Sequence, residues 1–414
     1  MPSQRSSSYA LFLFALMCVA YLLIPFHRVS PAIMAGDIMR DLSLSAPSMG
    51  LLASTFFVVY GVMQMPGGLL TDGVGPRRLL PFTTVLAGLG AILFGFADSL
   101  ALALAGRALM GFGVSVIFLC GMKLIGTWFP ASQFVRMSGL FLGMGGVGMF
   151  LASEPLAVCC ATWGWRASFF GCGAVSLALA AFLAVAVRDT PESRTVSSSI
   201  DWGLMINNTR LVMRHHDFWC ACLWMTCHFS LNMSFCGLWG GTFLSDVHQL
   251  SQAKAGSILN MSGAGVLAGG FLVGWMCSNV FKSERKTMMA ASAVVICLFG
   301  LLALAGEHLP VWSLYIWFFL LAVFGVPIHA AAFTCMRRIF GVKATGSACG
   351  LLNCLPSVGV LFFQPLTGVV LEQFPRTATG AFSPHAYAWA CFLYLIASSV
   401  AFWAAWKMRE SPAS

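Results

Sequence analysis

Long apolar stretches, each near the ~20 residues that carry a helix across a bilayer, alternate with short polar or Gly- and Pro-rich breaks along the whole chain. They predict spans near residues 9–36, 47–70, 79–97, 101–126, 134–157, 166–187, 217–245, 252–276, 287–305, 311–335, 345–371 and 386–407. The first stretch is too long, and too weakly bounded by small residues, to read as a cleaved signal. Only one long polar interruption occurs, from Arg188 to Asp217. It divides the pattern into an N-terminal bundle at 1–187, a linker at 188–216 and a C-terminal bundle at 217–414. The pattern thus predicts an all-α membrane protein of twelve transmembrane helices in two six-helix bundles.

Composition narrows the picture. With 59% apolar residues and 9% charged ones, the chain could not cover a water-soluble domain with polar surface, so membrane lipid is its main solvent. The net charge of +9 is topological. If the N-terminus is cytoplasmic, 16 of the 23 Lys and Arg residues fall on the inner side, and the positive-inside rule then places both termini in the cytoplasm of a cell, or inner, membrane. No nucleic-acid partner is implied. The fifteen Cys lie mostly in apolar runs, where thiols pack as small apolar groups, and Cys220, Cys222, Cys227 and His228 match no zinc spacing. No metal, cofactor or disulfide framework is expected. The glycine-rich stretches Gly143–Gly148 and Gly263–Gly265 lack the Lys-Ser/Thr of a phosphate loop, and no HExxH or GxSxG occurs, which argues against an enzyme.

The two blocks carry a weak internal repeat. Arg136-x-x-Gly139 returns as Lys343-x-x-Gly346 at an offset of 207 residues, Glu154-Pro155 as Gln364-Pro365 slightly shifted, and Gly67-Gly68 before Arg77-Arg78 as Gly269-Gly270 before Lys282, Arg285 and Lys286. Duplicated halves related by pseudo-symmetry are a common plan for transporters with a midplane site.

Several motifs carry a resemblance. The segment from Gly67 through Asp72 and Gly75 to Arg77 and Arg78, between spans two and three, resembles the signature loop of the major facilitator superfamily. Gly106-Arg107 with Gly111 looks like its span-four arginine motif. Phe26-His27-Arg28, Gln64-Met65-Pro66, Trp128-Phe129-Pro130 and Gly164-Trp165-Arg166 together resemble the anion:cation symporter branch. The resemblance implies the major facilitator fold and alternating access, with Gly67, Asp72, Gly75, Arg77 and Arg78 in conformational gating. It also implies a monomer that moves a small organic anion with a coupling ion, a proton. In that branch a span-one triplet of aromatic, Asp and Arg holds the anion and couples the proton. Here Arg28 matches the Arg, while His27 stands where the Asp would be.

The residues themselves point the same way. Ionisable groups inside spans are costly unless they pair or face water, so Arg28, Arg107 and Glu154 are candidates, Arg28 as anion anchor and Glu154 with Arg107 for proton coupling. Each also has a plain reading as a residue near the outer interface. Lys123 and His329 fall at nearly equivalent depths in the two halves under the 207-residue offset and would suit an anionic solute. Tyr60 with Gln64, and His228 with Asn232, share helix faces four residues apart and can bind a solute or a neighbouring helix; Asn353 is similarly ambiguous. Export of an amphiphilic drug or siderophore, import of an amino acid or other neutral solute, and a transport-dead sensor remain rival readings.

Overall fold

The computed structural model describes residues 4–189, 202–326 and 328–409. Throughout these residues the regular structure is helical. Span one is α1 (Gln4–Val29), continued after a break by α2 (Pro31–Asp41), and span two is α3 (Ala46–Val62) with α4 (Gln64–Gly73). Spans three to six are α5 (Pro76–Gly95), α6 (Leu100–Val114) with α7 (Ile117–Trp128), α8 (Ala131–Leu151) and α9 (Glu154–Ala186). The linker contains α10 (Trp202–Met213), and residues 190–201 of it lie outside the described residues. Span seven is α11 (His216–Ser234) and α12 (Gly240–Asp246), joined by a π turn over Phe235–Trp239. Then follow α13 (Gln252–Trp275), α14 (Glu284–Ala305), α15 (Val311–Gly325), α16 (His329–Glu372) and α17 (Pro384–Lys407).

Among the described residues, eight runs are long and apolar enough to cross a membrane unbroken. Of the other expected spans, two and seven are interrupted rather than missing, and span eight is the continuous helix α13. Leu140–Ala186, 47 residues long, holds spans five and six. They part at Gly164, whose φ of +80° lies in the left-handed region that a side chain disfavours. Span one breaks at Pro31, because proline cannot donate to the preceding turn. Local start signals are legible: the side chains of Ser251, Ser283 and Ser383 accept the backbone N–H groups of Lys254, Lys286 and Ala386 at the starts of α13, α14 and α17.

The fold has two compact units, residues 1–30 with 55–200, and residues 31–54 with 201–414. The stretch 31–54, which the hydropathy pattern groups with the N-terminal six spans, therefore packs within the second unit. Its contacts there are specific: Ala46 N donates to Glu372 Oε1 at 2.6 Å, and Asp37 accepts from Gln252 Nε2. In the first unit, α5 and α6 meet through small residues. A Cβ on Gly90 would sit 2.7 Å from Met110 N, and one on Gly106 would sit 2.9 Å from Gly90 O. Without a hydrophobic driving force between helices in lipid, such backbone proximity is what gives helix pairs their packing contacts.

Two outcomes follow. Gly106→Val should force α5 and α6 apart and cost roughly 1–3 kcal/mol, lowering the melting temperature in detergent; an unchanged melt would contradict the packing. In the loop after α12, burial pushes His248 below its ordinary value of 6.5, against a backbone hydrogen bond at Gly306 that acts the other way. Its fold-favoured form is therefore neutral, so stability is lost as pH falls through the unfolded value. Melting temperatures of His248→Asn should decline less than wild type between pH 7 and pH 5.

Candidate functional site

The site in the first unit starts from a missing hydrogen. In an α-helix the carbonyl of His27 would accept from residue 31, but Pro31 has no N–H to give. Arg107 of α6 supplies the substitute. Its Nη1 donates to His27 O at 2.8 Å, and its guanidinium lies 5.0 Å from the centre of the Phe56 ring. Ser30 Oγ adds a longer bond to the same carbonyl, at 3.4 Å.

The flanking glycines explain how a fully buried arginine reaches that position. Gly106 brings α6 onto α5, and a Cβ on Gly111 would sit 2.6 Å from Phe56 O, so α6 also lies directly against α3. The Gly-Arg-x-x-x-Gly pattern thus buries Arg107 between three helices. A cation in hydrocarbon costs about 2.5–3.5 kcal/mol on insertion scales, and the carbonyl and ring offset this.

Arg28, one residue on, has a different environment. It is half-buried, with its guanidinium 5.1 Å from the Tyr60 ring centre and 5.8 Å from that of Phe57. Among the described residues no protein group forms a hydrogen bond or ion pair with it. Tyr21, two turns earlier on α1, is within electrostatic reach of Arg28 and Tyr60 and packs at a tilt against Phe141, with ring centres 4.5 Å apart. The His27 ring is wholly buried and neither nitrogen has a hydrogen-bond partner. The first unit therefore gathers Arg28, His27, Arg107 and Tyr60 into one constellation.

Other candidates are engaged elsewhere. Gln64 Nε2 donates to Ser115 O at 3.3 Å, where α6 gives way to α7, and Lys123 Nζ donates to Thr71 O at 2.8 Å near the end of α4. Glu154 is exposed in the first turn of α9, a favourable place for a carboxylate at a helix start. In the second unit, His228 Nε2 lies 2.9 Å from Ser292 Oγ, Asn232 Nδ2 donates to Leu321 O at 3.5 Å, and His329 packs edge-on against Trp224. Asn353 is exposed.

In the segment that joins α4 to α5, Gly67 is buried against Val116 and Leu119, and Gly75 adopts φ +85°. Arg77 and Arg78 are exposed, and the Asp72 side chain lies outside the described side chains. The backbone of Arg77 donates to Asp189 Oδ1 at 2.7 Å, so an acid just before the linker caps α5. Asp189, Phe56, Phe57, Trp224 and Ser292 are the partners that the sequence alone did not single out. Among them only Asp189 carried a usable signal, as an acid at the end of span six.

A profile of the Major Facilitator Superfamily matches residues 9–364. The chain belongs to that superfamily. It is thus an integral membrane protein in a family of transporters rather than enzymes. It is 24% identical to the hexuronate transporter of Bacillus subtilis, over 90% of this chain and 89% of that one. It is also 27% identical to a probable sulfoacetate transporter of Cupriavidus necator over 179 residues, a match that spans 42% of that protein. The fold is that of a crystallised bacterial homologue of the human lysosomal transporter Spinster, with a TM-score of 0.76 at 17% identity over 98% of this chain and 99% of that chain.

The two arginines of this superfamily member should separate by experiment. A hydrogen bond to a charged group contributes about 1.5–3 kcal/mol, so Arg107→Met should lower the melting temperature clearly. Arg28→Met should leave it near wild type. Equal losses would contradict the difference between a bonded, buried Arg107 and a half-buried Arg28.

Proposed function

We propose that this protein is a secondary active transporter of a small organic anion, working by proton-coupled alternating access, with Arg28 as the anion anchor. The observation that carries the reading is the Arg28 guanidinium. It is a fixed cation held against two aromatic faces and answered by no described protein group. Guanidinium offers a two-pronged set of donors that fits a carboxylate or sulfonate, and it keeps its charge at any physiological pH. Tyr60 and Phe57 orient its plane, while Arg107 fixes the α1 backbone one residue away.

The solutes in the names of the hexuronate and sulfoacetate relatives are organic anions, which supports the same class here. In this reading the anion meets Arg28 first, with His27 beside it. The basic residues at the ends of the spans support a topology with both termini in the cytoplasm.

Uptake of labelled galacturonate, glucuronate and sulfoacetate into proteoliposomes tests the proposal. With one of these transported, Arg28→Ala should weaken it roughly 10- to 100-fold, the equivalent of losing a charge-assisted contact of about 1.5–3 kcal/mol. Arg28→Lys should recover only part, because an ammonium lacks the planar fork. Wild-type uptake in Arg28→Ala would remove the anchor, and wild-type vesicles inert to all organic anions would remove the function.

A further inference from the structure

The second unit contains a titratable cluster that the anion anchor does not use. His228 on α11 is fully buried and stacks on Trp224, with ring centres 4.6 Å apart and planes at 28°. Trp224 Nε1 donates to Ser292 Oγ at 2.9 Å, and Ser292 Oγ donates to Met288 O at 3.0 Å. His228 Nε2 lies 2.9 Å from the same serine oxygen. His329 of α16 also packs edge-on against the indole, its ring centre 6.0 Å away, and is 6% exposed.

The hydrogens can be counted. An indole N–H only donates, so Ser292 Oγ accepts from Trp224. Its own hydrogen goes to Met288 O, which leaves its second lone pair to accept from His228 Nε2–H. All three donors are then satisfied. The other tautomer would bury an orphan N–H on Nδ1, the costlier choice. His228 therefore presents a bare Nδ1 lone pair, and that atom has no partner. The Nε2 of His329 is likewise without one.

Two further features suit a proton. The negative face of an indole attracts a cation, and the Trp224 ring presents that face to His228. His228 and His329 also act on each other electrostatically, so a proton on one opposes a second on the other. The remaining ionisable groups of the packed helices stand apart. Asp217 on α11, Glu284 to Lys286 on α14 and Arg337 with Arg338 on α16 each lie six or more residues along their helices from the cluster. On α17, Lys407 lies in the last turn and His385 in the first, with Tyr387, Tyr394 and the Cys391 thiol on the helix between them; α15 brings Tyr315 in its second turn. Within α11 the neighbouring thiol of Cys227 is the nearest along the chain.

We propose that His228 and His329, both packed against Trp224, form a one-proton site in the second unit that couples proton movement to anion transport. The step is a simple protonation. A proton from water on one side of the membrane bonds to the Nδ1 lone pair of His228, turning imidazole into imidazolium, and leaves to water on the other side. The inference rests on the transport reading above. It separates the fixed cation that binds the anion from the group that takes the proton, with His27 not needed for the latter.

Proteoliposomes loaded and fed with galacturonate or sulfoacetate distinguish the two ideas. Counterflow, the exchange of labelled for unlabelled anion with no net proton movement, reports transport itself. Accumulation driven by a pH gradient of either direction reports coupling. For one proton per monoanion it should approach a ratio of about tenfold per pH unit. His228→Gln and His329→Gln should both lose this accumulation, levelling at a ratio of one, while counterflow stays measurable. Accumulation that persists in the double variant overturns the site.

Should the variants fail to fold, the wild type still decides. A protonated histidine quenches a stacked indole, so tryptophan emission should fall on acidification, and Ser292→Ala should shift that transition. Emission flat with pH, or wild-type vesicles that show counterflow but no pH-driven accumulation, overturns the proton site and leaves transport standing. Absence of counterflow with every anion would bring down the transport reading, and this inference with it.

Discussion

Pro31 removes one hydrogen from the backbone of the first span, and the local structure of the first unit answers that loss. The carbonyl of His27 loses its helical donor inside hydrocarbon, where an unpaired backbone group costs several kcal/mol. Arg107 replaces the missing donor with a charged one, and Gly106 and Gly111 let its helix come close enough to do so. The same bond resolves a second problem, the burial of a guanidinium. One interaction thus satisfies a broken helix and a stranded charge together. With the backbone pinned at His27, the next residue, Arg28, is held at a fixed angle over Tyr60 and Phe57.

Much of this architecture could be read from the chain. Hydropathy located the spans because a bilayer demands runs of ~20 apolar residues, and the superfamily motifs placed the gating loop and the span-four arginine. Breaks within spans were harder to see. A π turn such as Phe235–Trp239 leaves hydropathy untouched, and Pro31 reads as ordinary inside an apolar run. The site was legible in its residue types but not in their orientation. Apolar periodicity cannot tell which side of a lipid-bathed helix faces protein, so Lys123 as a cap on the Thr71 carbonyl, Gln64 on the Ser115 carbonyl and Glu154 at a helix start needed coordinates. Trp224 and Ser292 were invisible for the same reason: a tryptophan and a serine are unremarkable until a histidine is found between them.

The two units differ in their chemistry. The first gathers the guanidiniums of Arg28 and Arg107. The second, around α11, α14 and α16, gathers the imidazoles of His228 and His329 on the Trp224 ring. An anion needs a permanent counter-charge to be recognised at any pH, and a driving proton needs a base that releases it again. The proposed function assigns these tasks to separate clusters, so that His27 need not do the work of an acid.

The most direct test of the account is a double-mutant cycle between Pro31 and Arg107, with unfolding in detergent as the readout. Restoring a backbone donor with Pro31→Ala should make Arg107→Met less damaging than it is alone, by a coupling of about 0.5–3 kcal/mol. Strictly additive losses would mean that Arg107 does not answer the missing proline hydrogen, and the basis for positioning Arg28 would be gone.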